Sequence, residues 1–122
     1  MLHHGMGAGN GGMGLARRDE EGVAVMSRHP ILLSDYVLLS RDVDDPEDGH
    51  QRVALHAVIE VANQSSDGPS LIVDVYTVHM PLGVRARRRL ARELHHFVRV
   101  SRRGHVVVVA GDMNAEPDEP CV

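Results

Sequence analysis

The sequence predicts an α/β protein with a mixed sheet, and three observations predict it. Residues 52–61 and 71–80 alternate apolar and polar positions with the two-residue period of strands. Residues 83–103 change to the helical period, with Leu90, Leu94, Phe97 and Val98 on one stripe. Val106 to Ala110 is a wholly apolar run of strand length. Antiparallel strands followed by a strand–helix–strand crossover give the order β-β-β-β-α-β, with the helix covering a sheet face.

The elements follow in order. Residues 1–22 carry 7 of the 12 glycines and few bulky apolar groups, too little to offset the entropy of ordering them. Residues 1–19 therefore read as a flexible Gly-rich arm and 20–122 as the folded domain. No apolar stretch follows a basic start, which argues against a secretory signal. Val23 to Ser27 is a short apolar run, stopped by Arg28-His29-Pro30, where the proline biases His29 to extended backbone. Tyr36 to Arg41 reads as the next strand, and Asp42–Gly49 as a solvated acidic loop.

In the strand from Arg52 to Val61, Val53, Leu55, Ala57, Ile59 and Val61 share one face and Arg52, His56 and Glu60 the other, the pattern of a half-buried strand. Asn63 to Pro69 is rich in turn formers. Leu71 to Met80 is again a strand. The helix that follows ends in Arg99, Arg102 and Arg103, favourable for its dipole, and Gly104 is placed for a C′ residue. The Val106 run reads as a strand covered on both faces.

Composition excludes several classes. With 122 residues the chain is one domain, and with Cys121 alone it has neither a disulfide framework nor a Cys-based zinc site. No apolar run approaches the ~18 residues of a membrane span. Only Tyr36, Tyr76 and Phe97 are aromatic, which excludes a base-stacking platform for single strands. All 13 cationic residues are Arg, so lysine chemistry is absent. The net charge of −4 excludes a polycation that coats nucleic acid. Charge is nonetheless segregated: residues 85–103 hold eight Arg against Glu93, a local +7.

The residues that could carry chemistry lie at strand ends. The Val run delivers Asp112 and Asn114 to the C-terminal edge of the sheet, where ligands bind in open α/β folds. Asp112 is suited to be a water-activating base or a metal ligand. Asn114 can donate to a phosphate oxygen. The competing reading is an Asx turn in which both side chains cap their own backbone. His79 ends the strand joined by the helix to the Asp112 strand; if the two are parallel neighbours, both residues open on one edge, where an imidazole can protonate a leaving group or hold a phosphate oxygen. Glu21, just before a strand, could orient such a histidine, or be a solvated charge beside Asp19 and Glu20. Arg85, Arg87, Arg88, Arg89 and Arg92 are either a phosphate-attracting stripe or the solvated face of the helix. The His3-His4 and His95-His96 pairs do not read as a zinc site, and Asp42–Asp48 lacks the spacing of an EF-hand.

Three segments in order, Glu21-Gly22-Val23-Ala24-Val25-Met26-Ser27-Arg28-His29-Pro30-Ile31, Tyr76-Thr77-Val78-His79-Met80 and Gly111-Asp112-Met113-Asn114-Ala115-Glu116-Pro117, resemble successive signatures of the endonuclease/exonuclease/phosphatase superfamily, with the deoxyribonuclease-I-like fold. The resemblance spans about residues 20–120. It implies a four-layer α/β sandwich of mixed sheets, here truncated at both ends, and Mg²⁺-dependent hydrolysis of phosphodiester or phosphomonoester bonds in nucleic acid or a phospholipid headgroup. Asp112 matches the Asp that positions or deprotonates the attacking water. Asn114 matches the Asn on the scissile phosphate, His79 the strand-end His, and Glu21 the Glu that pairs with it.

The chain departs from the pattern in places. Met80 and Met113 replace the usual Leu and Phe, and Val78 separates Thr77 from His79. The metal-binding Glu and the closing Ser-Asp-His of the family have no counterpart. Two alternatives follow: a catalytically inactive fragment, and a non-enzymatic module binding acidic partners through the Arg stripe. A slice of a two-sheet sandwich is also expected to expose apolar faces and strand edges, with Val106–Val109 the likeliest to aggregate.

Overall fold

A computed structural model describes residues 2–6, 21–63 and 68–119, with the backbone alone described for 2–6 and Glu21. Strands β1 (Leu2–Met6) and β2 (Glu21–Val25) pair antiparallel as a ribbon. Strands β3 (Ile31–Leu38), β4 (Val53–Val61), β5 (Leu71–His79) and β6 (Val106–Asp112) form a sheet in that order, and helix α1 (Val84–Ser101) connects β5 to β6. β5 and β6 are parallel, whereas β3–β4 and β4–β5 are antiparallel, so the sheet is mixed, as the sequence predicts. No helix among the described residues is long and apolar enough to cross a membrane.

The core has two halves, one on each face of the sheet. Leu39, Ala54, Val78 and Met80 are buried against Leu90 and Leu94 of α1. On the other face Val25 of β2 is buried with Leu55, Ala57 and Ile59. The helix is placed by its apolar stripe: Ala86, Leu90 and Leu94 recur every fourth residue and face the sheet, while Arg85, Arg88 and Arg92 face solvent. A side chain such as Leu90, fully buried, is worth about 1.5–3 kcal/mol in transfer from water.

Four elements differ from the sequence reading, each for a physical reason. Within the stretch read as a flexible arm, Leu2–Met6 is a strand; backbone pairing to β2 defines it, without any apolar alternation, and residues 7–19 lie outside the described residues. β3 begins at Ile31 and not at Tyr36, because pairing with β4 starts there, directly after Pro30 accepts a hydrogen bond from the Glu60 N–H. β4 is not half-buried: it is central, flanked by β3 and β5 and covered by α1 on one face and β2 on the other, so Val53 to Ile59 are all buried. Its polar His56 is thereby inside.

β6 is corrected in the opposite sense. A run of valines suits a strand covered on both faces, but β6 is the sheet's edge among the described residues, and Val106, Val108 and Val109 are exposed. An open strand edge with apolar side chains is a template for pairing with another chain. Val108→Lys is therefore expected to lower light scattering of concentrated solutions while leaving the far-UV circular dichroism unchanged. Equal scattering by both proteins would show that this edge does not drive association.

Gly104 differs from the sequence reading as well. The helix ends on Arg102, whose N–H reaches the Val98 carbonyl, so Gly104 lies past the C′ position. It is glycine because the chain runs against β5: a Cβ there would collide with the Ile72 carbonyl.

Candidate active site

The parallel register of β5 and β6 sets His79 directly beside Asp112. The His79 Nε2 lies 3.8 Å from the Asp112 Oδ2, with side chains 43% and 64% exposed. That separation is longer than a hydrogen bond, and so exposed a pair adds little to stability, at most about 1 kcal/mol. Its significance is placement: an imidazole and a carboxylate from distant segments open on one rim.

Asn114 joins them through a lacing of the two strand ends. The Met80 N–H donates to the Asp112 carbonyl at 2.8 Å, and the Asn114 Nδ2 donates to the Met80 carbonyl at 2.8 Å. The Asn114 N–H donates to the Asp112 Oδ1 at 2.9 Å, which is the Asx turn the competing reading foresees. Asn114 takes φ 47°, a left-handed conformation that Asn tolerates better than most residues. The turn does not exhaust the polar groups: Asn114 keeps one amide hydrogen and its Oδ1, and Asp112 keeps Oδ2 on the His79 side. Asp112, Asn114 and Glu116 line one shallow groove at this rim.

Gly111 permits the arrangement. Its φ of +145° is disfavoured for side-chain-bearing residues, and a Cβ would strike the Val78 carbonyl. Gly111→Ala is expected to destabilise the fold by about 1–3 kcal/mol, read as a lowered urea midpoint. An unchanged midpoint would show that the rim relaxes without cost.

His79 also lines a small cavity of about 50 Å³ together with Gly22, Val23, His50, Gln51, Arg52 and Val53. Gly22 brings the start of β2 to this cleft, so the Glu21 backbone is adjacent to it, while the Glu21 side chain lies outside the described residues. Sequence reasoning missed His50 and Arg52. Arg52 reads as the solvated side of a strand, but antiparallel pairing carries the start of β4 to the end of β5, where Ala54 faces Val78. Its backbone is pinned: the Arg52 carbonyl accepts from the Leu39 N–H at 3.0 Å and from the Gln51 amide at 3.1 Å. Its Nε is buried without a hydrogen-bond partner among the described residues, a deficit worth about 1–3 kcal/mol or more for a charged group. The only available signal was the antiparallel hairpin itself, which sets residues preceding β4 opposite those ending β5.

The arginines of α1 divide. Arg87 is buried, pairs with Glu119 and donates to the Leu82 carbonyl at 2.6 Å; Arg89 pairs with the buried Asp48 at 2.5 Å. These two lock loops onto the helix. Arg85, Arg88 and Arg92 border a shallow groove with Asp42, whose carboxylate offsets part of their charge.

A second polar cluster lies nearer the start of β5 and is closed to any substrate. His56 and Asp74, 1% and 0% exposed, are 2.7 Å apart. Asp74 also accepts from the N–H groups of Arg103 at 3.0 Å and Gly104 at 2.6 Å. The His56 ring stacks on Tyr76 at 4.3 Å, and Phe97 stands edge-on to both. The Tyr76 hydroxyl meets the Ser101 Oγ at 2.8 Å. Burial alone would raise the Asp74 carboxyl, but the Gly104 and Arg103 N–H groups and His56 outweigh it and hold it below its ordinary 3.8. Burial pushes the Tyr76 hydroxyl up, against the Ser101 hydrogen bond.

The sequence matches the model of the Endonuclease/Exonuclease/phosphatase family over residues 2–120. The chain belongs to this family. Its members are hydrolases of the phosphoesterase and nuclease type, acting on phosphoester substrates and generally using divalent metal ions. Comparison with curated proteins and with solved structures returned no match.

Among the described residues no group of three His, Cys, Asp or Glu side chains gathers as a metal cage. Mg²⁺ does not require one: it is commonly held by one or two carboxylates, with water and substrate phosphate completing the octahedron. The exposed Asp112 carboxylate fits that mode as a single ligand.

Proposed function

We propose that this chain hydrolyses phosphodiester or phosphomonoester bonds with Mg²⁺, its substrate being nucleic acid or a phospholipid headgroup. The observation that carries this reading is the convergence of His79, Asp112 and Asn114 on one rim. The four-stranded sheet with its helix would then be part of a four-layer α/β sandwich.

The geometry supports the following roles. The Asp112 Oδ1 is held by the Asn114 N–H, which leaves Oδ2 to accept a proton from an attacking water. The remaining amide hydrogen of Asn114 donates to a phosphate oxygen. His79 has two chemical options, to protonate the leaving group or to hold a phosphate oxygen. In-line displacement puts nucleophile and leaving group on opposite sides of phosphorus. A histidine 3.8 Å from the base favours holding a non-bridging oxygen over protonating the leaving group. The family resemblance assigns Glu21, whose side chain lies outside the described residues, to orient His79. When bound, Mg²⁺ would supply neutralisation of the phosphate charge.

The test is hydrolysis of a chromogenic phosphodiester by the whole chain with Mg²⁺. Turnover that disappears with Asp112→Ala supports the reading. No turnover by the unaltered, folded protein would leave the inactive alternative in its place.

A further inference from the structure

We propose that the outer face of α1 is a docking ridge for the phosphate backbone of duplex nucleic acid, carried by Arg85, Arg88, Arg92 and Arg99. The choice of nucleic acid among polyanions rests on the phosphoesterase reading; the cationic ridge does not.

Spacing makes the ridge. Arg85, Arg88, Arg92, His96 and Arg99 follow one another at three or four residues, and all five are exposed. At about 100° per residue they fall within an arc of about 80°, so they form one line along the helix, about 21 Å long. Arg87 and Arg89 do not belong to it, because they are spent on Glu119 and Asp48. Asp42 borders the groove beside Arg85, Arg88 and Arg92 and offsets one charge, which leaves a line of four arginines cationic. Each guanidinium can grip two phosphate oxygens with its fork of donors.

Three features select the occupant. α1 commits its apolar stripe, Ala86, Leu90 and Leu94, to the core, so it has no apolar face to sink into a bilayer; its exposed large apolar residues, Val84 and Val100, stand near opposite ends. Tyr76 and Phe97 are packed with His56 and offer no platform to unpaired bases, which leaves recognition to the phosphates. Finally, α1 begins at Val84, five residues after His79, so the first arginine of the ridge stands at the rim end of the sheet. A polymer with a phosphate at every repeat can lie on the ridge and reach the rim, whereas a single headgroup cannot span the two.

The experiment measures binding without metal, so turnover is not needed. A fluorescent DNA duplex of about 20 base pairs is titrated with the whole chain at rising salt, beside anionic phospholipid vesicles and poly-glutamate. The duplex is expected to bind most tightly, and equally for two unrelated base sequences. Its log–log salt slope is expected at about −3 to −4, from about 0.9 for each of the arginines. Arg88→Gln combined with Arg92→Gln is expected to weaken binding about 10-fold or more and to make the slope shallower by about 2. Arg88→Lys combined with Arg92→Lys keeps both charges and is expected to keep the slope. Glutamine and lysine are good helix formers, and circular dichroism checks the fold of each variant. If the glutamine pair does not fold, Arg99→Gln stands in, with a slope expected to be shallower by about 1. Asp112→Ala is expected to bind at least as tightly as the unaltered chain, so a failed hydrolysis assay leaves this result standing. No binding to the duplex at low salt, a slope unmoved by the glutamine variants, or tighter binding to the vesicles or to poly-glutamate overturns the proposal.

Discussion

Asp112→Ala is expected to lower phosphodiester hydrolysis about 10²–10⁴-fold, the contribution of a well-placed general base. The alanine variant also removes the acceptor of the Asn114 N–H, so it loosens the turn as well as the chemistry. Asp112→Asn separates the two. Its carboxamide oxygen still accepts from Asn114, but it cannot take a proton from water. The asparagine variant is therefore expected to lose rate as severely as alanine while keeping its urea midpoint. If either folded variant retains a rate within a few-fold of the unaltered protein, Asp112 is not the base.

The largest effect on stability is expected from Asp74→Ala. Asp74 is fully buried and holds His56, the Arg103 N–H and the Gly104 N–H at once. Removing one partner of a buried pair costs about 3–5 kcal/mol, because the groups left behind stay out of water. For a chain of this size that corresponds to a fall in Tm of about 12 °C or more. The same carboxylate makes the protein acid-sensitive. Its folded pKa lies below the ordinary 3.8, so the unfolded chain takes up the proton first. The contribution is complete above that ordinary value and is lost as pH falls through the folded one. Asp74→Asn is expected to be less stable at pH 5 yet to lose less between pH 5 and pH 3, measured by urea unfolding. Parallel losses in the two proteins would mean that Asp74 does not set the acid limit.

Much of this architecture was legible because apolar period and chain order are properties of the sequence. Leu90, Leu94, Phe97 and Val98 mark the helix, and the crossover it makes implies that β5 and β6 are parallel. Parallel pairing puts His79 and Asp112 on one edge, and the register of the structure sets them side by side. What failed depended on the neighbours of a strand. Polarity puts His56 outside and the β6 valines inside, the reverse of the structure, because it does not say whether a strand is central or at an edge. His56 is tolerated inside only because Asp74 and Tyr76 receive it, and Asp74 lies on a different strand. Arg52 was hidden for the same reason: its cleft exists only where the start of one strand meets the end of another.

The side-by-side alignment of β5 and β6 also fixes when the His79–Asp112 pair forms. These strands are joined through an 18-residue helix, so their pairing is a long-range event. Hairpin-like contacts such as β3 with β4 are closer in sequence and need no helix to close. A chain that has collapsed, formed α1 and paired its antiparallel strands still holds the imidazole and the carboxylate apart. Activity during refolding is then expected to lag behind helix content, and to appear with the final closure of the sheet.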